Sequence, residues 1–149
     1  MALVSYRTRV NAPIEILWQH LLEKVETPEK FIPAVTRSEI LGRPGPNTVD
    51  RLMYLDDGTG EKPTREVITS DIHTRCIIFK MIDNPVWSGF VANTIIDDAD
   101  GNGPELDITM HWQTKENGHP AENAPWADIV KDAVLQTKEL AEAEAVKQE

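Results

Sequence analysis

Between Ala34 and Gln113 the chain is repeatedly interrupted by turn chemistry, and no stretch between the breaks has a convincing helical period. Gly42-Arg43-Pro44-Gly45-Pro46-Asn47 separates residues 35–41 from 48–55, and Asp56-Asp57-Gly58-Thr59-Gly60 separates the latter from 63–71. Further breaks stand at Asp71-Ile72-His73, Asp83-Asn84-Pro85 and Asp100-Gly101-Asn102-Gly103. Six extended segments joined by so little chain must pair antiparallel, because parallel pairing needs a long crossover. Two of them show how they face. Ile77, Phe79 and Met81 alternate with Ile78 and Lys80, and Leu106, Ile108, Met110 and Trp112 alternate with Asp107, Thr109, His111 and Gln113. The second alternation describes a strand with one buried and one wet face.

The flanks are different. Val4, Tyr6, Thr8 and Val10 share one face of an extended segment, with Ser5, Arg7 and Arg9 opposite, which predicts a first strand. Asn11 as cap and Pro13 in the first turn precede Ile14, Leu17, Leu21, Leu22 and Val25, and this spacing predicts a helix over 13–25. A short second helix is expected over Pro28 to Ile32, capped by Thr27 and stopped by Pro33. After a polar loop with two prolines, Trp126, Ile129, Val130, Ala133, Val134, Thr137, Leu140 and Ala141 recur at helical spacing, predicting an amphipathic helix from 125 to about 146. Its last turns, Glu142-Ala143-Glu144-Ala145, have little to bury and are expected to fray. The order β-α-α-β-β-β-β-β-β-α is an α+β arrangement in which a seven-stranded antiparallel sheet needs its concave face covered. Only the final helix is long and apolar enough to cover it. At 149 residues the chain suits a single domain over 1–149.

Charge narrows the partners. A net charge of −10 and a pI near 4.8 repel phosphate backbones and acidic headgroups, and the basic residues are scattered among acids. Nucleic acid and membrane insertion are therefore not expected, and no stretch approaches the roughly 20 apolar residues that span a bilayer. Met-Ala-Leu-Val-Ser-Tyr-Arg is not a secretion signal, and a lone Cys76 leaves no internal disulfide, so the cytoplasm is the default location.

Val10-Asn11-Ala12-Pro13-Ile14-Glu15-Ile16-Leu17-Trp18, followed by Phe31-Ile32-Pro33, resembles the SRPBCC superfamily, the START and birch-pollen-allergen type of helix-grip fold. Within it, Thr27-Pro28-Glu29-Lys30-Phe31-Ile32-Pro33, then Arg65-Glu66-Val67, then Asn93-Thr94-Ile95 before an acidic turn look like the AtaL-like branch. The resemblance implies a curved sheet gripping the C-terminal helix, with a cavity between them. Superfamily members use that cavity to carry lipids or hormones, to cyclise polyketides, or to bind partner proteins. No catalytic signature defines the branch, and fold alone does not give chemistry.

On this reading the cavity lining comprises Tyr6, Met53, Phe79, Met81, Met110, Trp112, Trp126, Ile129, Val130, Ala133 and Val134. The methionines would make it pliable. Thr8, Tyr54, Arg65 and Glu66 are the polar candidates for an inward position, and strand alternation allows only one of Arg65 and Glu66. A small apolar guest is the expected partner, with no cofactor. A cofactor-independent cyclase or isomerase, and a protein-interaction module, are the alternatives. Trp87, beside Pro85, is expected in an exposed turn, where with Val86 and Phe90 it could form a rim or a homodimer contact. Asp98-Ala99-Asp100-Gly101-Asn102-Gly103 matches the first half of an EF-hand loop, but Glu105 and Thr109 occupy positions that need an apolar residue and a bidentate acid. It reads as a hairpin turn. His20, His73, His111 and His119 have no spacing that aims two imidazoles at one metal, so no metal site is expected.

Overall fold

The computed structural model describes residues 4–97, 100–119 and 125–149. Seven strands form one antiparallel sheet: β1 (Val4–Arg9), β2 (Val35–Gly45), β3 (Thr48–Asp56), β4 (Glu61–Asp71), β5 (Cys76–Ile82), β6 (Trp87–Ile96) and β7 (Glu105–Thr114). Their order is β1-β7-β6-β5-β4-β3-β2, so each strand from β2 onward lies beside its sequence neighbour and β1 closes the far edge against β7. This is the arrangement that short hairpins impose. Helix α1 (Ile14–Glu26) follows β1, and α2 (Trp126–Lys147) closes the chain. Both helices pack on the concave face and against each other.

Period-two alternation sets the core. On β3 the inward series is Val49, Arg51, Met53 and Leu55, on β4 Thr64, Glu66 and Ile68, and on β7 Leu106, Ile108, Met110 and Trp112. From the helices, Leu17, Leu21, Val134 and Ala141 are completely buried against them. Each such Leu or Val side chain contributes about 1.5–3 kcal/mol by leaving water.

Three expectations are corrected. Only one α-helix precedes the sheet, because Pro28–Lys30 makes a single 3-10 turn; three residues between Thr27 and the Phe31-Ile32-Pro33 segment are too few for an α-helical turn to propagate. Asn11 does not cap α1. Pro13 holds that position without a side-chain bond, while the Asn11 N–H donates to Glu142 Oε2 at 2.7 Å. That bond ties the last turns of α2 to the β1–α1 connection, and α2 runs on to Lys147 with Ala145 packed on the core, so the segment expected to have little to bury has a docking partner. Of the EF-hand-like loop, Asp98 and Ala99 lie outside the described residues.

Candidate functional site

A cavity of about 50 Å³ lies between the concave face of the sheet and α2. Its walls are apolar except at the deep end, where four polar side chains meet: Lys24 of α1, Arg51 of β3, Glu66 of β4 and Asn93 of β6, each no more than 2% exposed. Sheet register brings the acid and the guanidinium together, since Arg51 and Glu66 are directly opposed on neighbouring strands. Arg51 Nη2 donates to Glu66 Oε1 at 2.7 Å, and Nη1 donates to the carbonyl oxygens of Lys24 and Val25 at 3.1 and 2.9 Å. Those carbonyls belong to the last turn of α1, which has no further turn to accept from, so Arg51 satisfies the end of the helix from the sheet beneath it. Lys24 Nζ donates to Asn93 Oδ1 at 2.6 Å and stands 5.7 Å from the centre of the Phe79 ring.

Burial, with the Arg51 charge beside it, lowers the Lys24 amine from its usual 10.5 to about 7, and Glu66 offsets only part of this. The floor thus holds an amine that changes charge near neutrality. Three buried side-chain atoms among the described residues lack a hydrogen-bond partner: Arg51 Nε, Asn93 Nδ2 and Trp112 Nε1. All three are N–H donors, and all three residues line this cavity.

The outer end is aromatic. Trp112 of β7 and Trp126 at the start of α2 lie 5.1 Å apart, and Trp87 of β6 sits 5.7 Å from Trp126 and 6.3 Å from Trp112. Beyond them an open vestibule of about 300 Å³ shares Leu55, Trp112 and Trp126 with the cavity and adds Pro63, Pro85, Val86 and Trp87. Gly89 makes this closure possible. It faces Trp112 across the β6–β7 pair at φ +125°, and a β-carbon there would lie 1.8 Å from the His111 carbonyl oxygen.

Of the residues singled out in the sequence, Met53, Phe79, Met110, Trp112, Trp126, Ile129, Val130 and Ala133 line the cavity. Met81 and Val134 are buried in the core without reaching it, and half-buried Tyr6 lies beneath Lys131 of α2, 5.7 Å from its amine. Glu66 faces in. Arg65 faces out and is held by Asp50 at 2.7 Å and Asp83 at 3.1 Å, because its neighbour takes the inward position opposite Arg51. Tyr54 is also on the outer face, stacked under the Arg37 guanidinium at 3.6 Å, since β3 turns Met53 and Leu55 inward. Thr8 is half-buried on β1, its hydroxyl donating to the Arg9 carbonyl. Trp87 is not exposed as expected; it opens β6 and packs edge-on to Trp126. His111 stacks on Phe90, 4.4 Å between ring centres, away from the cavity.

Lys24, Arg51 and Asn93 are not among the cavity candidates read from the sequence, although each stands in an apolar series that could have revealed it. Lys24 continues the Leu17, Leu21 face of α1, Arg51 interrupts Val49, Met53 and Leu55, and Asn93 interrupts Val91 and Ile95. Among the described residues no group of three or more His, Cys, Asp or Glu side chains is placed to hold a metal ion, and no helix is long and apolar enough to cross a membrane.

Several solved structures share the fold. TTHA0849 from Thermus thermophilus superposes with a TM-score of 0.77 at 12% identity, over 97% of this chain and 99% of that one. The Zhui aromatase/cyclase from Streptomyces sp. R1128 gives 0.65 at 20% identity, over 97% and 90%. The di-domain aromatase/cyclase StfQ of the steffimycin biosynthetic pathway gives 0.69 at 17% identity, covering 98% of this chain and 52% of StfQ. No curated protein matches the sequence. Residues 14–146 match the family model of AtaL, acetylaranotin biosynthesis cluster protein L, and with nearly all of its length inside that match the chain belongs to the AtaL family.

Proposed function

We propose that the protein binds a small, mostly apolar molecule between the sheet and α2. The observation that carries this reading is the cavity itself: apolar walls, an aromatic mouth, and a few polar groups gathered at the deep end, the usual composition of a small-molecule site. At about 50 Å³ the cavity is smaller than an aromatic guest, so such a guest must part Trp112 and Trp126 and extend into the vestibule. Two solved neighbours are described as aromatase/cyclases, which supports an aromatic or polyketide-like guest. Because Trp112 and Trp126 form the mouth, tryptophan fluorescence reports on occupancy. Titration with aromatic polyketides, sterols and fatty acids is expected to give a saturable change with planar aromatic compounds. Absence of saturation with every class rejects the proposal.

A second reading is favoured by Lys24. An amine near neutrality, beside a guanidinium and a carboxylate in a dry site, is equipped to move a proton on a guest held against it, as a cofactor-independent cyclase or isomerase requires. The test is turnover of a reactive polyketone analogue by the intact protein and by Lys24→Met. This reading expects conversion whose bell or sigmoid in pH is lost in the variant, and equal conversion by both proteins removes it.

A further inference from the structure

The polar floor specifies the guest more closely than its apolar walls do. Its buried ionisable groups are two bases, Lys24 and Arg51, and one acid, Glu66, which Arg51 already engages at 2.7 Å. Asn93 is neutral and spends its carbonyl oxygen on Lys24. The buried side-chain atoms of these four residues that lack a partner are two donors, Arg51 Nε and Asn93 Nδ2. A buried donor without a partner costs about 1–3 kcal/mol, and both of these donors are satisfied by a molecule that brings acceptors to them.

We infer that the guest ends in an anionic oxygen group, a carboxylate, phenolate or enolate, which enters first and is received by Arg51 Nε and Asn93 Nδ2 beside Lys24. This rests on the proposal that the cavity binds a guest at all. Once Lys24 has taken up a proton, the anion makes two cations face two anions. Its apolar body lies along Phe79 and Met110 and leaves between Trp112 and Trp126, where the Trp112 indole N–H offers a third donor to an oxygen further along the guest.

Binding is then coupled to a proton. The groups facing the Lys24 amine are Arg51 from β3, Glu66 from β4, Phe79 from β5 and Asn93 from β6, while α2 presents Trp126, Ile129, Val130 and Ala133 to the cavity and no ionisable group. An added anion favours the ammonium form, so a protein whose Lys24 is largely neutral at pH 8 takes up a proton as the guest arrives.

The experiment uses the full chain at pH 8 and three probes of one shape: 2-naphthoate, 2-acetylnaphthalene and 2-ethylnaphthalene. Calorimetric titration in two buffers of different ionisation heat gives affinity and proton uptake together. The expected result is that 2-naphthoate binds at least about tenfold tighter than 2-ethylnaphthalene, with 2-acetylnaphthalene between them, and that 2-naphthoate alone draws up to about one proton per molecule bound. Lys24→Met abolishes the uptake, and Asn93→Leu narrows the preference. Should either variant fail to fold, carbon-13 NMR of lysine side chains in the unaltered protein follows Lys24 directly, and its titration midpoint moves to higher pH with 2-naphthoate present. Equal affinity for the naphthoate and the hydrocarbon, or naphthoate binding without proton uptake, overturns the inference and leaves the cavity proposal standing. No binding by any of the three overturns both.

Discussion

The deep end of the cavity and its mouth are both built from large side chains on facing strands, yet they hold together on different terms. At the deep end directed bonds join the elements: α1 to β6 through Lys24 and Asn93, β3 to β4 through Arg51 and Glu66, β3 to α1 through Arg51 and two helix carbonyls. At the mouth three tryptophans from β6, β7 and α2 meet ring to ring, with centroids 5.1–6.3 Å apart, and the Trp112 N–H is buried without a partner. Directed bonds in a dry site tolerate little displacement, whereas aromatic edges slide at small cost. On the proposed function, the bonded end would specify a guest and the aromatic end would admit it.

The sharpest way to break this contrast is to remove one member of the floor. Glu66→Leu leaves the Arg51 guanidinium buried without its carboxylate, and the expected loss of stability is about 3–5 kcal/mol in urea unfolding. Adding Arg51→Met to it should recover part of that loss, but not all, because the α1 carbonyls then lose their donor. A loss below about 1 kcal/mol for the single variant means that water reaches the pair and that the floor is not dry.

The Lys24 amine supplies a pH signature of the same end. Its folded value of about 7 lies below the unfolded 10.5, so between these values the unfolded chain holds the proton and the folded protein does not. The sign follows: the full penalty for burying the ammonium is felt below pH 7, and stability rises with pH from about 7 to 10.5, by up to about 1.4 kcal/mol per unit from this group. Subtracting the profile of Lys24→Met isolates the effect. A difference curve that is flat across pH 7–10 shows an amine that stays hydrated.

At the mouth the expected effect is smaller. Trp112→Phe keeps an aromatic ring between Trp87 and Trp126 and deletes a buried N–H that has no partner, so lost packing and relieved desolvation oppose one another. The net change in stability should stay within about 1 kcal/mol, as chemical denaturation can establish. A much larger loss makes the mouth as rigid as the floor and removes the route proposed for a guest.

How far the sequence reached follows the same division. The strands, their antiparallel pairing and the covering helix were legible because turn residues and period-two alternation act locally. So were Trp112 and Trp126, apolar residues in apolar positions. The floor was legible only in part. Lys24, Arg51 and Asn93 occupy inward positions of otherwise apolar series, and a polar residue there reads first as an interruption of the pattern; only the fold brings all three within reach of Glu66. Trp87 was misleading because its neighbours Asn84 and Pro85 mark a turn, while the strand that puts it beside Trp126 begins at Trp87 itself.

Arg65 provides the smallest effect and the closest control, since it stands next to Glu66 on the same strand and carries its charge to the opposite face. It bonds Asp50 and Asp83 through a side chain that is 39% exposed, so solvent screens both pairs. Arg65→Ala is expected to cost no more than about 1 kcal/mol, and less again in high salt. Urea unfolding at low and high ionic strength measures both quantities. If Arg65→Ala cost as much as Glu66→Leu, the difference between the faces of β4 would lie in the strand rather than in burial, and the floor would lose its claim to be set apart by a dry environment.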